Sequence, residues 1–169
     1  ELQVVVRAPA RMPVREINAF VQEKDDWIHA HLQQMAEKKR LQEQYREQAL
    51  SKEELQELAT QAMKLIPQKV HYYAQIIGVT YGRITIRNQR TRWGSCSGKG
   101  NLNFNCLLLL MPEEVLDYVV VHELCHRKEM NHSARFWEEV EKILPDYRQR
   151  RKWLKDNGGR IMDRNRPVS

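Results

Sequence analysis

The stretch "LDYVVVHELCHRKEMNH", residues 116–132, constrains this chain more than any other. A run of apolar residues suited only to a protein interior stops at His122, Glu123 and His126, and His132 follows just beyond. Pro112 and the acids Glu113 and Glu114 stand ahead of the run. They suit a helix N-terminus, where carboxylates meet the positive end of the backbone dipole. A helix over 111–130 is therefore expected. Acids are rarely buried unpaired, so a carboxylate placed directly after "YVVV" calls for a chemical reason.

His122 and His126 are four positions apart, which puts both imidazoles on one helix face, a turn apart. Two histidines so placed can reach one metal ion, and Glu123, about 100° round the helix, can reach a water beside it. A third ligand is needed, and His132 is the natural choice. A straight helix would carry His132 about 9 Å along the axis from His126, so the helix must end and turn back. Asn131 is the expected left-handed residue of that turn. The span from His122 to His132 equals that of H-E-x-x-H-x-x-G-x-x-H, but Glu129 stands where that motif has glycine, so the turn must be built differently. His29, His31 and His71 lack ligand spacing and read as surface or hydrogen-bonded histidines.

At 169 residues the chain fits one domain, 1–169, with a core that needs no disulfides. Cys96, Cys106 and Cys125 are odd in number and form no C-x-x-C pair, which argues for a reducing, cytoplasmic setting. No stretch is long and apolar enough to cross a bilayer, so no membrane partner is expected. The chain opens at Glu1 inside the strand-like "ELQVVVRAP", and its natural N-terminus is expected upstream.

Periodicity divides the chain into a helical N-terminal part (13–78), a core (82–145) and a basic C-terminal helix (146–158). "QVVVR" (3–7) reads as a strand. Residues 13–35 carry Val14, Ile17, Phe20, Val21, Trp27, Ile28 and Leu32 at helical spacing, and 36–48 is either a continuation or a charged connector. Ser51 and Glu54 form a capping-box pattern for a helix that Pro67 should kink or divide and Gly78 should end. "RITIR" (83–87) and "NLNFNCLLLL" (101–110) alternate as strands. Residues 133–144 form a short amphipathic helix before Pro145, and Gly158 should cap the last helix. The fold class is α+β, helix-rich, with a small antiparallel sheet.

Net charge is +6. Residues 82–112 hold Arg83, Arg87, Arg90, Arg92 and Lys99 and no acid, and residues 146–169 hold eight Lys and Arg against three Asp. Such an excess either meets an anionic partner or is a solvated basic face.

"TRWGSCSGKGNLNFN" and "LDYVVVHELCHRKEMNHSARFW" together resemble the YgjP-like family of zinc-dependent hydrolases, related to SprT-type zincins. The resemblance covers nearly the whole chain, Trp27 and Ile28 included, and is densest from Arg90 to Trp137. It implies a zincin-like fold, with a small sheet beside a helix carrying His122, Glu123 and His126. It also implies His132 as third ligand, one zinc ion per chain, and a further strand before "QVVVRAP". Such families are often described as metallopeptidases, and a phosphoanhydride hydrolase role has also been attached to YgjP-like proteins.

Three readings follow. In a zinc metallopeptidase, Glu123 is the general base, the strand containing Asn103 lies along the cleft and pairs with an extended polypeptide, and Arg92 or Tyr118 steadies the oxyanion. In a nucleoside triphosphate pyrophosphatase, Arg90, Arg92, Lys99 and the loop glycines hold phosphates and Trp93 stacks on a base. The plainer alternative is that Trp93 packs under its loop, the glycines only turn it, and Cys96 is a small packing residue. In a zinc-stabilised module, "RQRRKWLK" (148–155) contacts nucleic acid; against it, structural zinc usually takes four protein ligands, and no fourth is visible.

Overall fold

The computed structural model describes residues 4–46 and 49–165, the backbone alone at 42 and 44–46. Two compact units divide the chain, Glu1–Gln48 and Ala49–Ser169. The division falls inside the 13–78 stretch that periodicity had grouped together.

The first unit holds α1 (Val14–Glu23) and α2 (Asp25–Arg46). The helical expectation for 13–35 is met by two helices, and the second runs through most of the charged 36–48 stretch. Residues 4–7 are not strand, and Gln3 lies outside the described residues. None of the described residues of this unit is buried, and Val14, Phe20 and Trp27 are all more than half exposed. His31 stacks on Trp27 and His29 pairs with Asp25 at 3.6 Å, as befits surface histidines.

In the second unit, α3 (Lys52–Ile77) opens on a complete capping box: Ser51 Oγ accepts from the Glu54 amide and Glu54 Oε2 from the Ser51 amide. Ala62, Ile66, Val70 and Ala74, four apart, form its buried face. The helix stays one element through Pro67, because packing on neighbouring elements sustains a helix that propensity alone would break. Gly78 ends it at φ 74°, a left-handed cap.

Three short strands follow: β1 (Ile84–Arg87), β2 (Gly94–Cys96) and β3 (Leu102–Asn105). Their order is β1-β3-β2, with β1 parallel and β2 antiparallel to β3, so the sheet is mixed rather than wholly antiparallel. The expected strand over 101–110 stops at Asn105. Cys106–Leu110 is a 3-10 turn whose first residues are buried. A continuous apolar run has no period to separate the two.

Asn105 makes that switch. Its side chain is fully buried; Oδ1 accepts from the Leu107 amide at 3.1 Å, and Nδ2 donates to the carbonyls of Gln89 (2.7 Å) and Arg92 (3.0 Å). One amide thus ends β3, starts the 3-10 turn and anchors the loop before β2.

Helix α4 (Glu113–Cys125) is buried on nearly every side, from Val115 through Val121 to Cys125. Lys69 Nζ ties α3 to it, 2.6 Å from both Glu113 and Asp117. Helix α5 (Ala134–Ile143) is capped by Ser133 and buries Phe136 and Val140. Helix α6 (Tyr147–Asp163) continues past Gly158 instead of ending there. That glycine serves close approach: a Cβ on it would meet the Trp93 indole at 3.2–3.4 Å.

Candidate metal centre

Helix α4 ends where its histidines begin to matter. His126 is the C-cap residue, still right-handed at φ −63°. The chain then reverses through right-handed turns in which the Arg127 amide donates to Leu124 and the amides of Lys128 and Glu129 to Cys125. No described non-glycine residue has positive φ, so Asn131 is not the left-handed residue expected. A turn of this kind has no need of glycine, which explains why Glu129 is accommodated.

This reversal brings His132 back over the helix. One ring nitrogen from each of His122, His126 and His132 lies within 4.8 Å of the others. His122 Nε2 and His132 Nε2 are 3.0 Å apart. Four-coordinate zinc with bonds of about 2.0–2.1 Å would set its ligand nitrogens about 3.3 Å apart, close to this spacing. His126 Nδ1 donates to the Glu129 carbonyl at 3.0 Å, which leaves Nε2 as the lone-pair nitrogen. Burial, aided by the charges of His126, His132 and Arg151, pushes His122 down to about 3. Burial, His126 and Arg151 push His132 down as well. Neutral imidazoles are the form that binds metal. The three residues therefore fit a divalent ion. His122 Nδ1 is buried without a hydrogen-bond partner.

Glu123 is 7% exposed. Burial raises its carboxyl to about 7, against the opposing charge of Arg92. β2 packs directly on it: a Cβ at Gly94 would lie 2.7 Å from both Glu123 Cγ and Oε1. Beside it opens a cleft of about 270 Å³ lined by Arg92, Trp93, Gly94 and Tyr118 together with His122 and Glu123.

Other residues singled out by sequence lie elsewhere. Arg90 is exposed and does not line this cleft. Asn103 sits on β3 and donates to Ser95 Oγ at 3.2 Å. Because β3 is the central strand, with β1 and β2 on its two sides, it offers no edge to a substrate; the edge strand beside Glu123 is β2. Gly100 has φ 81° and leaves room for Arg127, whose guanidinium donates to the carbonyls of Thr80 and Gly98. Burial, then the Glu123 charge, raises the Cys96 thiol, the opposite of activation. On α6, Arg148 pairs with Glu141, Arg150 with Asp146 and Lys152 with Asp156. Those three charges are engaged within the chain. As sequence, Gly94 reads only as a loop glycine, Arg151 only as part of the basic run 148–155 and Asn105 only as a strand residue; the fold is what sets Gly94 against Glu123 and Arg151 over Trp137.

Two histidines from one helix and a third from the turn behind it thus stand together beside a buried carboxyl, able to hold a metal ion. The chain belongs to the YgjP-like family, metallopeptidase domain, whose pattern it matches over residues 1–55 and 40–157. Two solved structures are similar in part. One is the metallopeptidase zymogen abylysin of Pyrococcus abyssi, 25% identical over 54% of this chain and 94% of that one, with a TM-score of 0.49. The other is the metallopeptidase zymogen jannalysin of Methanocaldococcus jannaschii, 21% identical over 54% and 95%, with a TM-score of 0.49. No curated protein matches the sequence. Among the described residues, no helix is long and apolar enough to cross a membrane.

Proposed function

We propose that this chain is a zinc-dependent peptidase in which His122, His126 and His132 hold one ion and Glu123 is the general base. The observation that carries the reading is the convergence of three imidazole nitrogens within 4.8 Å beside a carboxyl raised to about 7. A bound zinc ion supplies Lewis acidity toward water and toward a peptide carbonyl.

The chain's own residues supply the rest. Glu123, poised near neutrality, accepts a proton from the attacking water and returns it to the leaving amine. Tyr118, whose phenol burial raises to about 12, keeps its hydrogen at working pH and lines the cleft as a donor. Arg92, on the same cleft, opposes negative charge that develops there. The outer edge of β2 offers backbone groups to an extended polypeptide.

Nothing comparable favours a nucleotide. Among the described residues Arg92 is the one cation lining the cleft, too little positive charge to match a triphosphate. The test is a mass-spectrometric assay of the zinc-loaded protein with an unfolded protein and a set of nucleoside triphosphates, with Glu123→Gln as control. New peptides formed by the unmutated protein, and reduced about 10²–10⁴-fold in the variant while zinc is retained, would support the reading. Full turnover by Glu123→Gln would remove the general-base role. Nucleoside monophosphates in place of peptides would reassign the substrate.

A further inference from the structure

The cations of α6 are not alike. Arg148, Arg150 and Lys152 each hold an acid, but among the described residues Arg151 has no carboxylate within ion-pair distance. Its guanidinium carbon lies instead 4.4 Å from the centre of the Trp137 ring. Trp137 in turn stacks on His132, with ring centres 5.7 Å apart and planes 23° apart, and lies 5.8 Å from the His122 ring. A planar guanidinium on an aromatic face is held in orientation while its N–H edge stays available.

The two distances, 4.4 Å and 5.7 Å, place the guanidinium carbon within about 10 Å of the His132 ring. A fixed cation so near three would-be ligands of another cation is electrostatically unfavourable by itself. The arrangement becomes favourable when an anion lies between the guanidinium and the ion.

From this geometry we infer that Arg151 binds a carboxylate of the polypeptide substrate, one held within two residues of the scissile bond. An N–H···O contact takes up about 3 Å, and two extended residues at about 3.5 Å each span the remainder. The carboxylate is either an Asp or Glu side chain or the chain's own C-terminus; the guanidinium recognises both alike. Arg151 is thus a substrate-selecting residue on the rim, distinct from Arg92 in the cleft. The inference rests on the zinc-peptidase reading for the location of the scissile bond.

The test uses the zinc-loaded full chain and peptidyl hydroxamates, which bind the ion whether or not any peptide is cleaved. One pair of probes differs only in Glu against Gln in an amidated peptide, the other only in a free against an amidated C-terminus. Binding is read from tryptophan fluorescence. The unmutated protein should bind one carboxylate probe about tenfold more tightly than its neutral twin, as for one charge-assisted contact. Arg151→Gln should abolish that gap and Arg151→Lys should keep part of it, with affinity for the neutral probes unchanged. Arg148→Gln, whose partner is Glu141, should keep the gap in full. The pair that shows the gap identifies the source of the carboxylate. No discrimination by the unmutated protein, or a gap that survives in Arg151→Gln, overturns the inference. Absence of binding by every hydroxamate would instead sink the metal centre, and this inference with it. Failure to cleave peptides despite tight hydroxamate binding would count against the peptidase reading alone.

Discussion

Gly94→Ala is the sharpest test of how the fold sets the reacting groups. The added Cβ would sit 2.7 Å from Glu123 Cγ and Oε1 and 3.0 Å from Cδ. Ordinary contact begins at 3.4 Å, so about 0.7 Å must be found. Glu123 is buried and cannot swing freely, and Cγ is too near its own backbone to yield by terminal rotation alone. Displacements of about 1 Å at reacting groups can cost about 10²-fold in rate, so a drop in kcat of about 10- to 100-fold is expected. Stability should fall by about 2.5 kcal/mol at most. Overlap in a packed interior costs about 1–3 kcal/mol, while replacing glycine in a strand returns about 0.5–1 kcal/mol of backbone entropy. Metal content should match that of the unmutated protein, because the first atoms met are those of Glu123 and not of the histidines. The assay pairs peptide turnover with metal analysis and a thermal melt. Full turnover by a folded, metal-loaded Gly94→Ala protein would show that the position of Glu123 against β2 does not govern the reaction.

Two further outcomes are expected. His132→Ala should weaken zinc binding at least 100-fold in a chelator competition, whereas His71→Ala, a surface histidine bonded to Gln75, should leave it unchanged; equal affinities would remove His132 from the ligand set. In the metal-free protein, the raised carboxyl of Glu123 contributes stability that is complete below its unfolded value near 4.5 and lost as pH rises through about 7. At about 1.4 kcal/mol per unit, that change is about 3 kcal/mol. Glu123→Gln removes it, so denaturant melts should show the variant gaining on the unmutated protein between pH 4 and pH 8. A difference in stability that is the same at both pH values would contradict the buried setting of Glu123.

Much of the centre was legible in the chain itself because helical geometry is local. Residues four apart share a face in any α-helix, so the pairing of His122 with His126 needed no tertiary information. The capping box at Ser51 and Glu54, the cap at Gly78 and the start of α4 at Glu113 and Glu114 follow from backbone groups that only adjacent residues can satisfy. Where the sequence misled, the decision was not local. Asn105 ends a strand inside an apolar run because two carbonyls from the loop before β2 reach it. Gly158 lies inside α6 rather than at its end, and its missing side chain leaves room for Trp93. Pro67 fails to divide α3 because that helix is held by its neighbours. The sheet is mixed, and β2 rather than β3 is its edge beside Glu123, because strand order depends on a crossover that alternation does not encode.

By itself, then, the sequence placed His122, Glu123 and His126 on one helix and supplied the residue types able to complete a metal centre, all consequences of spacing along one chain. Tertiary structure alone decided what surrounds them. Burial and the loss of solvation raise Glu123 and lower His122, the reversal after His126 returns His132 to the same point, and the docking of α6 stands Arg151 over Trp137, which stacks on His132. Solvation and charge depend on every group that approaches in space, and such approaches are settled only when distant segments pack.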